Sequence, residues 1–464
     1  MPEWLFQLYN PWTTPATLLL AVTGVGWSVG LRGRHLAMLA AVTAAGLGLW
    51  QGWKIGPPSG LLDLQIYVGA ARDWMHGGSI YDYHDGVHNL GATYPPIGPL
   101  AFVAFVPMSA EVREILWSAV SLASLAGAAW CTAVLAGIER ARRTTWTLWA
   151  FAAATVTIPV WLTLRQGQIN IVLWLLVVAD VVAVRRRSRW SGIGIGIATA
   201  VKLVPGLFIV WLVLARRGAA AGRAVAAAVA ATALGWLLAP SDSKRYWTEL
   251  IFESNRIGQV DDSRNNSLLS VVARAVEPGP ARNWLWLAGA AAIVAVGLAR
   301  GVRAARRDDF LAATAIVGCA ATLVSPISWT HHLGFAVLAL AAFATRRLRP
   351  WAVAGVVVVW LVLVDPGGLG DDAPTSTLRA LVLLAVVVAM PVVTGRSGGS
   401  AGDDGEEPVD ELPTSTLEVV APDGQAADHL GAPLPHDGGE LLERLPRVEG
   451  VGAEHGAALP AEEG

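Results

Sequence analysis

The chain has 464 residues, of which 54% are hydrophobic and only 15% charged, with a mean hydropathy of +0.49. Soluble domains carry about 25% charged residues; here long apolar blocks alternate with short arginine clusters, which excludes a single soluble core, a nucleic-acid binder and a disulfide-stapled secreted protein. The net charge of −2 hides two unlike regions: from Ala401 onward sixteen acidic residues face only Arg444 and Arg447, leaving 32 of the 34 basic and 20 of the 36 acidic residues in the first 400 positions.

A bilayer crossing needs about 20 apolar residues, fewer when flanking side chains snorkel. Such blocks predict spans over 13–31, 35–54, 112–137, 145–163, 169–184, 219–239, 282–300, 309–326, 333–345, 351–364 and 377–395. The start, MPEWLFQLYN, lacks a basic n-region and a small-residue cleavage site, so no cleavable signal peptide of the usual form is expected. Segment 191–215 has arginine-rich flanks on both sides (Arg185–Arg187 and Arg189 before, Arg216 and Arg217 after), and its length gives two legs of only about 18 Å. A broken hairpin hinged near Pro205 fits that length better than one straight helix. The fold class is therefore an all-α polytopic transmembrane bundle with about 11–13 spans in a domain over 1–395, followed by an acidic, disordered cytoplasmic tail over 396–464.

Arginine-rich short loops mark the cytoplasmic side. Arg32/Arg34, Arg140–Arg143, 185–189, Arg216–Arg223, Arg300–Arg307 and Arg346–Arg349 then lie inside, and 55–111, 164–168, 240–281, 327–332 and 365–376 lie outside. The alternation closes if 95–108 lies along the outer interface instead of crossing. Cys131 and Cys319 sit inside apolar blocks with no metal or disulfide spacing.

Most polar residues outside the arginine loops fall on the outer side, in four clusters. Asp63 stands about nine residues beyond a span, with Tyr67 at i+4 on the same helical face. A carboxylate at such an interface serves as a general base if it reaches a substrate hydroxyl; a solvated helix cap is the plainer reading of that residue alone. Arg165, Gln166, Gln168 and Asn170 crowd one membrane mouth, as interhelical glue or as ligand contacts. Lys202 is the only ionisable residue inside the hairpin, suited to an anionic headgroup. The remaining two are Asn265, Asn266, Ser267 and Arg274, ahead of a helical run, and SPISWTHHLGF, with Trp329, His331 and His332. Adjacent histidines diverge on a helix, so a two-histidine metal site is not expected there; contact with a phosphate or sugar is the better reading.

In this order the elements resemble glycosyltransferase family 87 of the GT-C superfamily. The pieces are Asp-Leu-x-x-Tyr (Asp63–Tyr67), Tyr-Pro-Pro (Tyr94–Pro96), Gly-Gln-x-Asn (Gly167–Asn170), Lys-x-x-Pro (Lys202–Pro205), Asn-x-Ser-Leu (Asn265–Leu268) and Ser-Pro-x-Ser-Trp-x-His-His (Ser325–His332), spread over about residues 36–345. The resemblance implies a GT-C-type bundle in the cell membrane, with its active site on the outer face. It also implies a polyprenyl-phosphate sugar donor and a glycolipid or polysaccharide acceptor; composition points away from a nucleic-acid partner, and with no metal-ligand cluster in the sequence neither cofactor nor metal is expected. Mannose transfer in α-1,2 linkage, of the kind that extends phosphatidylinositol mannosides and lipomannan, is the leading expectation; arabinofuranose transfer within the same family, or a polytopic flippase or transporter, are the alternatives. The family's essential carboxylate falls on Asp63, as the base of an inverting displacement. Lys202, Arg165, His331 and His332 are the expected donor-phosphate and sugar contacts, and Tyr67, Tyr94, Gln168, Asn170 and Asn266 the expected lining.

Overall fold

The structure, a computed structural model, describes residues 14–54, 61–346, 350–364 and 372–393. The acidic stretch expected as a tail from 396 onward lies outside the described residues.

Eighteen helices follow one another among the described residues, with a single isolated bridge, His84 to Gly91, as the one β feature. They are α1 (Thr14–Ser28), α2 (Gly33–Lys54), α3 (Leu62–Met75), α4 (Ile97–Leu100), α5 (Ala110–Leu135), α6 (Arg140–Thr155), α7 (Ile158–Gln166), α8 (Asn170–Arg185) and α9 (Ile193–Val201). The second half holds α10 (Gly206–Leu214), α11 (Gly218–Leu238), α12 (Pro240–Thr248), α13 (Leu268–Ala275), α14 (Pro280–Arg306), α15 (Phe310–Val324), α16 (Gly334–Ala344), α17 (Pro350–Val364) and α18 (Ala373–Ala389). By length and apolarity α5, α11 and α14 can each cross a bilayer.

The molecule is an all-α polytopic membrane bundle. Its centre is α15, in which every residue from Phe310 to Leu323 is buried; a helix apolar all round belongs in the interior. By contrast, only 17% of the apolar window of α11 and 28% of that of α14 is buried, so these helices turn their faces to lipid.

One expectation needs correcting. The block 145–163 is not a single straight span: α6 stops at Thr155, and α7 leaves it at an angle of 73°. Pro159 sits in the first turn of α7. It has no N–H to give to Thr155 and its ring crowds that carbonyl, so the helix restarts in a new direction. The bend carries the Arg165–Asn170 segment into the polar end of the bundle.

Between the arginine flanks, α9 and α10 are nine-residue helices separated by Lys202–Pro205. Arg223, early in α11, donates to the Ser191 carbonyl and hydroxyl at 2.7 Å each, which ties the entrance of this segment to the helix that follows its exit. Lys202 stands just past α9 in extended backbone (φ −148°, ψ 124°).

A cap of short elements closes the polar end. Helix α3 packs against α12 through Ile66, Ala70, Ile80, Tyr81 and Tyr246. Asp242 accepts from the Ser79 hydroxyl (2.5 Å) and the Ile80 N–H (3.2 Å), and Arg256 donates to the carbonyls of Ala92 and Thr93. These ties hold the segment that delivers Tyr94.

Candidate active site

Five segments of the chain meet beneath this cap. Gly167 ends α7 in the left-handed region (φ 69°). A Cβ there would come within 2.8 Å of the Leu61 Cβ and 2.9 Å of the Leu64 Cβ, so only glycine lets the start of α3 close against the turn. The Trp117 indole donates to the Gly167 carbonyl at 2.7 Å and fixes the turn from α5.

That turn presents Gln168, which is 5% exposed. Its Oε1 accepts from both the Tyr67 and the Tyr94 hydroxyls, each at 3.0 Å. With the carbonyl oxygen so engaged, the amide nitrogen faces Asp63 and donates to its carboxylate. Burial pushes the Asp63 carboxyl up to about 7, against the opposing pull of the Gln168 hydrogen bond and of Lys202. Burial also drives the Tyr67 phenol well above its usual range, so it stays protonated and serves as a fixed donor.

On the other side of Tyr94 lies Lys202. Its Nζ donates to the Tyr94 hydroxyl (3.2 Å) and to Asn170 Oδ1 (2.9 Å), and lies 3.0 Å from His332 Nε2. The Trp329 N–H donates to His332 Nδ1 at 3.2 Å, which sets the ring's orientation. Asn170 Nδ2 donates to the His331 carbonyl (3.0 Å), while the two histidine rings meet edge to face at 4.5 Å. Burial pushes both imidazoles well below their usual range, with Lys202 adding to the effect. A cavity of about 30 Å³ opens here, lined in part by Asn170, Lys202, Ser325, Ser328 and His332.

The histidine turn is held from behind. The Asn266 N–H and Nδ2 both donate to the Ser328 carbonyl, at 2.7 and 2.9 Å. Asn265 accepts from the Ser328 N–H (2.9 Å), and the Ser267 hydroxyl donates to the Pro326 carbonyl (2.9 Å). Asn266 is thus fully buried as a clamp on the 325–332 segment. Arg165 lies one turn ahead of Gln168 and enters none of the hydrogen bonds that link Asp63 to His332.

Of the ten residues expected from the sequence, the structure gathers Asp63, Tyr67, Tyr94, Gln168, Asn170, Lys202 and His332 into one network, with His331 beside it. A further residue escaped the sequence reading: Arg379 of α18, 1% exposed, donates to the Thr330 hydroxyl at 3.2 Å. Its signal was available, since it is the one charged residue within 377–395, and an ionisable group inside an apolar span marks function or a buried partner. Among the described residues no group of three or more His, Cys, Asp or Glu side chains gathers in a way that could hold a metal ion.

Chemically, the arrangement sets a carboxyl titrating near neutrality a few bonds from a lysine and a histidine, with neutral hydrogen-bonding side chains between them. It can accept a proton at one end and steady an anion at the other.

The sequence profile described as glycosyltransferase family 87 matches residues 92–326, just over half the chain. A protein of Mycolicibacterium smegmatis named polyprenol-phosphate-mannose-dependent alpha-(1-2)-phosphatidylinositol mannoside mannosyltransferase is 32% identical over 341 residues, covering 67% of this chain and 76% of its own. Its namesake from Mycobacterium tuberculosis is 31% identical over 364 residues, 73% and 85% of the two chains. A second M. smegmatis protein, named for the phosphatidylinositol pentamannoside acceptor, is 30% identical over 288 residues, 60% and 69% of the chains. No solved structure matches. By profile and by these identities, the chain belongs to glycosyltransferase family 87.

Proposed function

We propose that this enzyme transfers mannose from a polyprenyl-phosphate donor to a mannosylated phosphatidylinositol-type glycolipid on the outer face of the cell membrane, in α-1,2 linkage and with inversion. The relatives' names support the donor and acceptor classes. The observation that carries the mechanistic reading is the pairing of Asp63 with Lys202 across Gln168 and Tyr94.

In this mechanism Asp63 takes the proton of the acceptor hydroxyl as its oxygen attacks the anomeric carbon, while the carbon–phosphate oxygen bond breaks on the opposite face. Polyprenyl phosphate departs as an anion and needs its charge stabilised more than it needs a proton; Lys202 and His332 are positioned for that. A single displacement converts a β-linked donor into an α-linked product with one carboxylate, where most glycoside hydrolases use two. Gln168, held by two tyrosines, keeps the Asp63 carboxylate aimed.

The experiment supplies purified protein in detergent with polyprenyl-phosphate mannose and a mannosylated phosphoinositide, and measures released polyprenyl phosphate. Polyprenyl-phosphate arabinofuranose runs alongside to identify the sugar. The expected result is mannose-dependent release by the wild type and release about 10²- to 10⁴-fold slower by Asp63→Asn. Full activity in that variant rejects Asp63 as the base.

A further inference from the structure

Residues 92–95 lie in no helix or strand, so their buried carbonyls need partners from elsewhere in the chain. Three consecutive carbonyls receive them from side chains of the cap. Arg256 donates from Nη1 to the Ala92 carbonyl (3.0 Å) and from Nη2 to the Thr93 carbonyl (2.9 Å). The Tyr81 hydroxyl donates to the Tyr94 carbonyl itself (2.9 Å). Beyond Tyr94 the chain runs into Pro95 and Pro96, whose rings fix φ. Tyr94 is therefore held on both sides.

The two donors are themselves seated. Arg256 Nε donates to the Leu250 carbonyl (3.0 Å), and its Cζ lies 5.9 Å from the Tyr81 ring centroid and 5.6 Å from that of Tyr246. The two tyrosine rings stack at 5.8 Å, and both residues are more than nine-tenths buried. A planar guanidinium spans two adjacent carbonyls from beside aromatic rings; an ammonium at the same place lacks the fork. From this brace the connection to the site runs through Tyr94, whose hydroxyl donates to Gln168 Oε1 and accepts from Lys202 Nζ.

We propose that Arg256 and Tyr81 are positioning residues for the reaction: they set the place of Tyr94, whose hydroxyl keeps the Gln168 amide turned toward Asp63. The assignment rests on the sugar-transfer reading given above. With Tyr94 displaced, Gln168 Oε1 keeps only the Tyr67 hydroxyl, and its amide is free to rotate. Asp63 then loses the donor that favours its charged form, while the titratable groups facing it, Tyr67, Tyr94 and Lys202, are all still present. Lys202 keeps Asn170 and His332 as partners. The loss thus falls on the base and spares the phosphate pole.

The test measures polyprenyl phosphate release by the wild type, Tyr81→Phe, Arg256→Lys, Tyr94→Phe and the double variant Tyr81→Phe/Tyr94→Phe. Tyr81→Phe removes a single oxygen and keeps the ring stack; it is expected to lower kcat about tenfold with donor KM within about twofold of wild type. Arg256→Lys, which keeps the charge and loses the fork, is expected to lower kcat at least as much. The double variant is expected to be no slower than Tyr94→Phe alone, because both changes act through one hydroxyl. Unchanged kcat in Tyr81→Phe, or losses that simply multiply in the double variant, overturn the proposal. Wild-type protein that releases no polyprenyl phosphate rejects the sugar-transfer reading instead. The brace is then judged without turnover, by infrared titration of the Asp63 carboxyl band, assigned by its loss in Asp63→Asn. Its midpoint is expected to rise by about one pH unit in Tyr81→Phe; an unmoved midpoint overturns the brace.

Discussion

Ionisable groups are buried in two parts of this molecule, and they are used in opposite ways. Where α8 meets α9 and where α15 begins, the charges are spent on structure. Asp180 accepts the N–H groups of Gly192 (2.6 Å) and Ile195 (2.8 Å) and so caps α9. Asp309 pairs with Arg346 at 2.7 Å, both under 10% exposed, and also accepts the N–H groups of Ala312 and Val393. In the cluster under α3, Asp63 and Lys202 have no direct ion pair; Gln168 and Tyr94 stand between them. Burial alone therefore does not distinguish a working group from a scaffold. What distinguishes it is acceptor or donor capacity left over for a substrate.

The sharpest way to break this comparison is to remove each carboxylate in turn. Asp63→Asn should lower kcat by about 10²- to 10⁴-fold, the usual contribution of a general base, with the thermal transition of the detergent-solubilised protein little changed. Asp309→Ala should do the reverse: a loss of about 3–5 kcal/mol of stability from leaving Arg346 buried and unpaired, with activity per folded molecule retained. Thermal unfolding and turnover measured on the same preparations separate the two.

The pH profile sharpens the contrast further. Because burial raises the Asp63 carboxyl to about 7, its protonated form dominates below that pH and cannot accept the hydroxyl proton. The kcat/KM for the acceptor should thus fall about tenfold per pH unit below 7. A profile flat from pH 5 to 8 would contradict the base assignment. The smallest expected effect is at the other pole of the network: Lys202→Ala should raise donor KM about tenfold, the loss of one charge-assisted hydrogen bond to phosphate. A fall in kcat with unchanged donor affinity would count against a phosphate role.

Much of this molecule was legible in its sequence. Apolar block length placed nearly every long helix, because a span must satisfy its own backbone in hydrocarbon. Arginine-flanked 191–215 was too short for two crossings, and it folds as two short helices on either side of Lys202. The bend at Pro159 was missed because apolar content continues across it while the backbone does not. Asn266, counted among lining residues, donates from both its backbone N–H and its Nδ2 to the Ser328 carbonyl, a partner 62 residues away that no local pattern reveals.

The sequence by itself determined which residues are candidates for chemistry, since polar and ionisable groups are costly in an apolar chain and each one kept there stands out. Tertiary structure alone decided how they are grouped. Tyr67 meets Gln168 across 101 positions and Lys202 meets His332 across 130, and an apolar cavity beside Trp174 arises only where alanines of α5, α6 and α16 face one another. Helical periodicity fixes neighbours three and four residues apart; contacts between segments a hundred residues apart are set by how whole helices pack.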